Sequence, residues 1–468
     1  MTAFTKTATI FRLFKEAIRG DEQNFTEGNI NRAIFLLSIP MILEMAMESL
    51  FAVVDIFFVS RLNSSDAVAA IGLTESMLTI VYSVAMGLSM GATAMVARRI
   101  GEKDEPGAAA AGIQSVYIGL AFAILIGGTG IVFYKDLLHL MGSSEEIIAI
   151  GSGYTRLMLA GNISIVMLFL INAIFRGAGN AAIAMRSLWI ANLINMLLDP
   201  IFIFGWGPIP SFGVEGAAIS TNIGRTIGVF YQLYYLAGGK GILKIHKENL
   251  KVDWNIIVRL LKVSAGGAGQ FLISSASWVF LVKIMANFGS AALAGYTIAI
   301  RVIIFTILPS WGMANASATL VGQNLGAGKP DRAEKSVWKT GFYNMIFLAG
   351  VMVIFLLMAR PILSFFTHDP VVIEYGSECL RIVAFGYVFF GYGMVITQSF
   401  NGAGDTRTPT ILNLFGFWFF QIPLAYVLAM KLGYGPTGVF AAISIAESVI
   451  AVAGIIIFRK GKWKTVRI

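Results

Sequence analysis

Charged residues are scarce in this sequence: Asp, Glu, Lys and Arg make up only 13% of its 468 residues, whereas 57% are hydrophobic. A soluble globular protein carries about 25% charged residues, so the composition excludes a soluble fold. Cysteine is nearly absent, because Cys379 is the single one, and this excludes a disulfide framework. The three histidines (His139, His246 and His368) are far apart, so they form no metal-binding pattern.

Apolar runs of helical length make up most of the sequence instead. A helix needs about 20 apolar residues to cross a hydrocarbon core about 30 Å thick, and the sequence predicts twelve such spans. They are centred within residues 34–60, 68–97, 108–133, 151–175, 184–206, 214–237, 257–286, 292–321, 339–359, 379–400, 409–431 and 437–458. We therefore expect an all-α polytopic membrane protein, with loops too short to form an extramembrane catalytic domain.

The basic residues lie mainly on one side of the predicted spans. That side holds the N-terminal segment, Arg176, Arg186, the lysines of 239–256 and the tail 459–468. Lys and Arg favour the cytoplasmic side of a membrane, so both termini are predicted to be cytoplasmic in an inner membrane. This orientation accounts for the net charge of +9 and leaves no indication of nucleic-acid binding. Residues 1–32 are basic and amphipathic, and either lie on the membrane surface or form a disordered tail.

An internal repeat divides the chain into two halves. Three pairs of motifs recur with a shift of 225 residues: FRGAGN (175–180) and FNGAGD (400–405), AVAAIG (67–72) and ALAGYT (292–297), and RRIG (98–101) and QNLG (323–326). Six spans per half return the chain to its starting side of the membrane. The halves must therefore be parallel repeats, related by an axis along the membrane normal.

The spans and the repeat together predict five segments. These are a cytoplasmic N-terminal segment (1–32), an N-lobe (33–238), a basic cytoplasmic linker (239–256), a C-lobe (257–458) and a basic cytoplasmic tail (459–468). Two pseudo-symmetric six-helix lobes with a cleft between them are typical of alternating-access transporters. The architecture therefore favours transport.

Acidic residues within the first span are the main candidates for function. Glu44, Glu48 and Asp55 interrupt an apolar run. On a helix they share one stripe, since at about 100° per residue Glu44 lies about 40° from Glu48 and about 20° from Asp55. Charge in hydrocarbon is costly and usually faces a cavity or a partner. The acids therefore either bind cations or protons, or are neutralised by hydrogen bonds inside the bundle.

Several motifs resemble those of one transporter family. They are the spacing of Pro40 and Asp55 in span 1, RGAGN and NGAGD after spans 4 and 10, QNLGAGKPDRAE after span 8, NLINMLLDPIFIF in span 5 and GVEGAAIST in span 6. On these motifs the chain after residue 28 resembles the multidrug and toxic compound extrusion (MATE) family. The resemblance implies twelve helices in two lobes, V-shaped about a central cavity. It also implies export of organic, often cationic compounds, driven by inward Na⁺ or H⁺.

The resemblance further implies an ion site in the N-lobe. Its residues would be Asp55, Asn195, Asp199 and Thr221. A C-lobe arrangement of carboxylates, also known in the family, has no counterpart, since Ser274 stands near the expected glutamate of span 7 and span 10 has no acid. The chain therefore looks closer to the branch that couples through the N-lobe, like the DNA-damage-inducible exporters and archaeal members.

Depth along the predicted helices supports this set independently. Asp55, Asp199 and Thr221 lie about 8 to 10 Å inside the outer ends of their spans, and Asn195 lies one turn below Asp199. Glu75 in span 2 lies at a similar depth. We expect these five residues to bind H⁺ or, as the alternative, Na⁺ held by Asp55, Asn195, Asp199 and Thr221. The other hypothesis is a structural hydrogen-bond network without ion exchange.

Further residues are candidates for a substrate cavity. They are Glu44, Glu48, Met41, Phe51 and Glu447. Deep acids would attract an organic cation, and methionine and aromatic side chains suit promiscuous binding. Helix packing or lipid contact is the alternative for the apolar ones. Gly224 and Gly228 are expected to form a packing face between helices.

The sequence predicts a cation-coupled antiporter of organic compounds, with H⁺ favoured over Na⁺. We expect a monomer with a small-molecule substrate and lipid contacts, no cofactor, no structural metal and no enzymatic activity. The alternatives are an exporter or flippase of an endogenous lipid-linked or metabolite substrate, an intramembrane acid–base enzyme, and a membrane scaffold. An enzyme would need a nucleophile or metal near the acids, where the sequence has no His or Cys.

Overall fold

The computed structural model describes residues 3–20, 24–62, 64–238 and 243–468. The regular secondary structure of these residues is helical, and one isolated β-bridge joins Trp206 and Ile209 between two helices. Long apolar runs form helices in a membrane protein because a helix satisfies its own backbone hydrogen bonds. The predicted all-α class is confirmed.

The described residues of the first half form eight helices. They are α1 (Ala3–Arg19), α2 (Ile30–Ser60), α3 (Ser65–Gly101), α4 (Glu105–Leu140), α5 (Glu145–Ala160), α6 (Asn162–Gly177), α7 (Ala181–Phe204) and α8 (Val214–Ala237). Side-chain caps begin several of them; for example, Ser64 accepts a hydrogen bond from Ala67 N (3.2 Å), and Asp104 accepts one from Gly107 N (2.9 Å). Such caps satisfy backbone donors that have no partner within the helix.

The second half follows a 3₁₀ turn at Lys247–Leu250. Its helices are α9 (Trp254–Met285), α10 (Ser290–Gly326), α11 (Pro330–Ser364), α12 (Pro370–Ala384), α13 (Tyr387–Ala403), α14 (Arg407–Asn413), α15 (Ile422–Tyr426) and α16 (Pro436–Arg459). Two π-helical segments, Leu414–Gln421 and Val427–Lys431, flank α15 and continue the helical path. Short 3₁₀ turns lie at Ala286–Phe288 and Lys462–Thr465.

Each of the twelve predicted spans falls on helical segments. Within the described residues, nine helical stretches are long and apolar enough to cross a membrane, and the bent pair α12 and α13 (59°) makes a tenth. The pair α5 and α6 counts as one of these stretches. The remaining two predicted spans correspond to α2 and α8, which carry the buried acidic and basic side chains described below.

Matched turns confirm the internal repeat at the level of the backbone. Gly179 and Gly404, 225 positions apart, both have positive φ (91° and 88°), a conformation that glycine adopts without strain. Asn180 N donates to Phe175 O, and Asp405 N donates to Phe400 O, both at 2.9 Å. The two motifs singled out by sequence similarity therefore end their helices in the same way.

The described helices pack into two compact units. One contains residues up to Asn24 together with Leu43–Ala268, and the other contains Phe25–Ile42 and Gly269–Ile468. Helices α2 and α9 thus each contribute to both units. The lobe boundaries predicted from the sequence, at 33, 238, 257 and 458, remain a prediction.

Helix α6 is the centre of the first unit. Almost every residue from Asn162 to Gly177 is buried, as expected for a helix that is apolar on all faces. Helices α3, α4, α7 and α8 pack around it. Because α6 is buried, its polar residues Asn172 and Arg176 must find partners inside the protein.

The second unit is built around α10, α11, α13 and α16. Its core includes Tyr296 stacked on Phe440, with ring centroids 6.3 Å apart. Beyond α16, Trp463 folds back onto Phe458, with centroids 4.5 Å apart. The basic tail predicted from the sequence is therefore partly an ordered element of this unit.

Candidate functional site

Four predicted or neighbouring polar residues meet between α7 and α8. Asn195 Nδ2 donates a hydrogen bond to Thr221 Oγ1 (3.0 Å), and Ser220 Oγ donates one to Asp199 Oδ1. All four side chains are buried, with Asp199 0% exposed. Two adjacent residues of α8 therefore bond to two residues that lie one turn apart on α7.

Small residues allow the two helices to approach closely enough for these bonds. A Cβ added to Gly224 would lie 2.5 Å from Ala191 O, and one added to Gly216 would lie 2.4 Å from Phe202 O. Real Cβ atoms are not found that close to a carbonyl oxygen. The predicted packing face that includes Gly224 is confirmed, and it sets the spacing of the polar group.

Two buried oxygen atoms of this group have no hydrogen-bond partner in the described part of the protein: Asp199 Oδ2 and Asn195 Oδ1. Leaving a buried acceptor unpaired costs about 1 to 3 kcal/mol. Residues four apart share one face of a helix, so the two atoms belong to one small region of α7. A proton or a small cation bound in this region would supply the missing partner.

Asp55 of α2 interacts electrostatically with Asp199 of the polar group on α7 and α8. Its side chain is half-buried, and Asp199, Glu75 and Arg225 are close enough to interact with it electrostatically. Glu75 is exposed at the surface of the first unit. The residues predicted for ion binding therefore comprise a buried hydrogen-bonded part on α7 and α8, with two further carboxylates nearby.

Glu44 lies in a separate buried network. Its Oε1 accepts hydrogen bonds from Arg176 Nη1 (2.7 Å) and Asn172 Nδ2 (3.0 Å). Gln232 Nε2 in turn donates to Asn172 Oδ1 (2.5 Å). Arg176, one of the basic residues that the sequence predicted on the cytoplasmic side, has its side chain buried against Glu44.

Glu48 is paired with a second buried arginine. Its Oε2 accepts a hydrogen bond from Asn192 Nδ2 (3.0 Å), and its Oε1 lies 4.0 Å from Arg225 Nη2. The Arg225 guanidinium also lies about 6 Å from the ring centroids of Phe51, Tyr82 and Phe169. Cation–π contacts of this kind stabilise a charge removed from water.

The residues predicted for a substrate cavity belong to both units. Glu44, Glu48 and Phe51 belong to the first unit. Met41 is buried in the second unit, where its backbone carbonyl lies against Gly312. Glu447 is half-buried on α16 of that unit. The cavity remains a prediction, and ion pairing to arginine is what the structure shows for Glu44 and Glu48.

Sequence reasoning missed Ser220, Arg176 and Arg225 as partners of the acids. Arg225 could have been noticed, because an arginine inside a predicted span is as unusual as an acid there. No local pattern identifies which acid each arginine contacts. Among the described residues, no group of three or more His, Cys, Asp or Glu side chains is arranged to hold a metal ion.

Comparisons with known proteins agree with this architecture. A family model described as MatE matches residues 40–201 and 268–427. The probable multidrug resistance protein NorM of Thermotoga maritima is 25% identical over 457 residues, which is 97% of each chain. The probable multidrug resistance protein YoeA of Bacillus subtilis is 24% identical over 411 residues, 87% of this chain and 89% of the relative.

The chain is also similar to a relative that is named for its substrate and to a solved crystal structure. A FAD transporter of Shewanella oneidensis is 23% identical over 408 residues, 86% of this chain and 89% of the relative. A crystal structure described as MATE in complex with MaL6 is 27% identical, with a TM-score of 0.89. That match covers 94% of this chain and 99% of the other.

Proposed function

The chain belongs to the MatE family of membrane transporters, and we propose that it exports organic compounds by antiport against inward-moving H⁺. Its relatives are named multidrug resistance and multidrug export proteins. Membership in a family of transporters removes the enzyme alternative. The coupling ion, the substrate class and the residues that carry the ion are the parts of the function that we propose.

The observation that carries the proposal is that Asp199 Oδ2 and Asn195 Oδ1, on residues one turn apart on α7, are both buried without a hydrogen-bond partner among the described residues. A proton on Asp199 Oδ2 changes that atom from an acceptor to a donor, and Asn195 Oδ1 one turn away is an acceptor. A hydrogen bond formed by that proton between the two would satisfy both atoms. Release of that proton leaves both unpaired again, so the two protonation states favour different packing of α7 and α8. Such a difference is what couples an ion to a conformational change.

Asp55 is the second carboxylate in this mechanism. Its charge interacts with those of Asp199 and Arg225, so a change of charge at one carboxylate alters the energy of the other. Interacting carboxylates titrate as a pair rather than as independent groups. We propose that Asp55 and Asp199 together carry the transported proton, with Glu75 as an outer charge that acts on Asp55.

Na⁺ is the alternative coupling ion for the same residues. Hard cations are held by several oxygen ligands at short distances. In this structure Thr221 Oγ1 and Asp199 Oδ1 are already engaged in hydrogen bonds, which leaves Asp199 Oδ2 and Asn195 Oδ1 within the α7–α8 group. Two free oxygens suit a shared proton better than a metal cation, and this favours H⁺.

Transport in proteoliposomes with an imposed pH gradient tests the proposal. Asp199→Asn should abolish gradient-driven export of a fluorescent organic cation, because asparagine cannot gain or lose the proton. Asp55→Asn should have the same effect. Glu378→Gln is the matched control, since it neutralises a half-buried acid of α12 in the second unit that belongs neither to the ion site nor to the predicted cavity.

The outcomes of this experiment are distinct. Retention of gradient-driven transport by Asp199→Asn would show that Asp199 does not carry the proton. Transport driven by a Na⁺ gradient alone at symmetric pH would identify Na⁺ as the coupling ion. Thermal unfolding of each purified variant separates loss of transport from loss of the fold.

Export of an anionic metabolite is a second candidate function. Arg225 favours it, because the buried Nη1 of its guanidinium has no hydrogen-bond partner among the described residues, and guanidinium groups bind phosphate and carboxylate well. A relative is named a FAD transporter. Competition between a flavin nucleotide and an organic cation in the same proteoliposomes discriminates the two candidates. Inhibition by the nucleotide that Arg225→Gln removes would favour the anionic substrate.

A further inference from the structure

An open apolar groove lies between α3, α4 and the first part of α9. Its volume is about 770 Å³, which is in the range of about 300 to 1,000 Å³ found for ligand sites. Leu88, Leu125 and Leu261 are among the side chains that line it. The groove follows α9 from Trp254 to Ala268, a length of about 21 Å at about 1.5 Å per residue.

A polar pocket of about 410 Å³ adjoins one end of the groove. Val252 and Trp254 line both cavities, so the two lie side by side. The polar pocket lies where the linker enters α9, and its charged lining residues are Glu248, Lys251 and Asp253. A long apolar groove therefore ends next to a short charged pocket.

Hydrogen bonds from α4 hold this part of the linker in place. Gln114 Nε2 donates to Lys251 O (2.8 Å), and Gln114 Oε1 accepts from Asp253 N (3.3 Å). Tyr117 OH donates to Leu250 O (2.9 Å). Because these bonds use backbone atoms, the side chains of Glu248 and Lys251 remain available, and neither forms an ion pair with another described residue.

We propose that the groove and the polar pocket together bind one diacyl phospholipid with an ethanolamine headgroup. An acyl chain occupies the groove, and the headgroup occupies the polar pocket. The groove is long enough, because one leaflet contributes about 15 Å of the hydrocarbon core. Trp254 lines both cavities and Tyr117 lines the groove, and both residue types are enriched where membrane meets water. This site is independent of the proposed transport mechanism.

The charges of the polar pocket select the headgroup. Lys251 can bind the phosphate, and Glu248 and Asp253 can accept charge-assisted hydrogen bonds from a primary ammonium. A glycerol headgroup offers no positive charge to the two carboxylates. A choline headgroup has the charge but no N–H to donate. Ethanolamine supplies both a positive charge and N–H donors to the two carboxylates.

Native mass spectrometry of the full chain tests this proposal. The protein is equilibrated with equal amounts of ethanolamine, glycerol and choline phospholipids, and we expect it to retain one molecule of the ethanolamine lipid in preference to the others. Ala121→Trp should abolish that retention, because Ala121 is an exposed residue of α4 that lines the groove. Ile124→Trp is the matched control, since Ile124 is exposed on the same helix but outside the groove.

A substitution in the polar pocket tests headgroup recognition separately from the Ala121→Trp substitution that fills the groove. Glu248 is exposed, so Glu248→Gln should preserve the fold and remove the preference for ethanolamine over choline. Equal retention of all three headgroups by the wild-type protein would overturn the proposal. Wild-type retention by Ala121→Trp, or equal loss in Ala121→Trp and Ile124→Trp, would also overturn it. Thermal unfolding shows whether each variant is folded.

Discussion

At the scale of single residues, the buried acids of α2 differ in their partners. Glu44 forms a close ion pair with Arg176 and accepts a second bond from Asn172. Asp55 instead interacts with the charges of Asp199 and Glu75, and also with that of Arg225. Proton exchange, as proposed above, suits a carboxylate placed among other acids better than one held by an arginine in a close ion pair. The three acids on one helical stripe therefore lie in at least two different electrostatic environments.

The Glu44–Arg176 pair predicts a non-additive effect on stability. Glu44→Gln alone leaves a buried arginine without its counter-ion, and Arg176→Met alone leaves a buried carboxylate. Each should lower the free energy of unfolding by about 3 to 5 kcal/mol. The double variant should lose clearly less than the sum, because neither charge remains.

Chemical denaturation in detergent micelles measures this double-mutant cycle. Arg61→Met is a suitable control, because Arg61 is an exposed arginine with no part in the network. Strictly additive losses in the double variant would mean that the pair does not act as a unit.

At the scale of helices, the spacing of α7 and α8 determines whether the polar group forms at all. Gly224→Ala adds a methyl group where Ala191 O lies 2.5 Å away and Asn195 Cβ lies 3.1 Å away. Overpacking of this kind costs about 1 to 3 kcal/mol. We expect Gly224→Ala to lower the unfolding temperature and also to reduce transport, because it separates Asn195 from Thr221.

Gly128→Ala is the control for this substitution. Gly128 lies in α4 with no neighbouring atom within 4 Å of an added Cβ, and alanine is favoured over glycine in a helix by about 1 kcal/mol. The unfolding temperature of Gly128→Ala should be unchanged or higher. Equal destabilisation by both substitutions would contradict the packing argument.

The C-terminal 3₁₀ turn is a second element with a measurable contribution. Lys464 Nζ lies 2.6 Å from Glu334 Oε2 and 3.4 Å from Asp331 Oδ1. Hydrogen bonding to Glu334 raises the pKa of Lys464. A raised lysine pKa means that the stabilisation is complete below the unfolded-state pKa of about 10.4. It is lost as pH rises through the higher folded-state value.

Lys464→Met should therefore reduce the free energy of unfolding by about 0.5 to 1 kcal/mol at neutral pH. The difference from wild type should disappear at pH values above the folded-state pKa of Lys464. Lys462→Met is the control, because Lys462 is exposed two residues away and forms no ion pair with another described residue. A difference that persists unchanged at high pH would assign the effect to packing.

At the scale of the whole molecule, the predicted cytoplasmic position of both termini can be measured by labelling added cysteines. Cys379 is the single cysteine and is buried, so the natural protein should react little with a membrane-impermeant maleimide. Thr465→Cys in the tail should be labelled only from the cytoplasmic side. Glu146→Cys, after α4, should be labelled only from the opposite side, because three spans separate it from the N-terminus.

Labelling of right-side-out and inverted vesicles provides the measurement. Both added cysteines replace exposed residues, so accessibility depends on the side of the membrane rather than on burial. Labelling of Thr465→Cys from outside would reverse the orientation inferred from the basic residues.

Features that depend on local pattern follow from the amino-acid sequence alone. Apolar runs fix where helices form, because each span must satisfy its backbone bonds internally, and all twelve predicted spans lie on helices. The motifs at 175–180 and 400–405 end their helices with the same backbone hydrogen bonds. Both turns need a residue with positive φ, and glycine adopts that conformation without strain. Asn195 and Asp199 share a face because they are four residues apart.

The pairing of the buried charges, by contrast, depends on how the helices pack in three dimensions. Glu44 and Arg176 are 132 positions apart, and the pairing of Glu48 with Arg225 likewise joins α2 to α8. Helical periodicity gives the face on which a side chain lies but not the helix that it meets. The hydrogen bond from Ser220 to Asp199 has the same origin. Partner choice depends on how closely helices approach, and that distance is set by packing of small residues along entire helices.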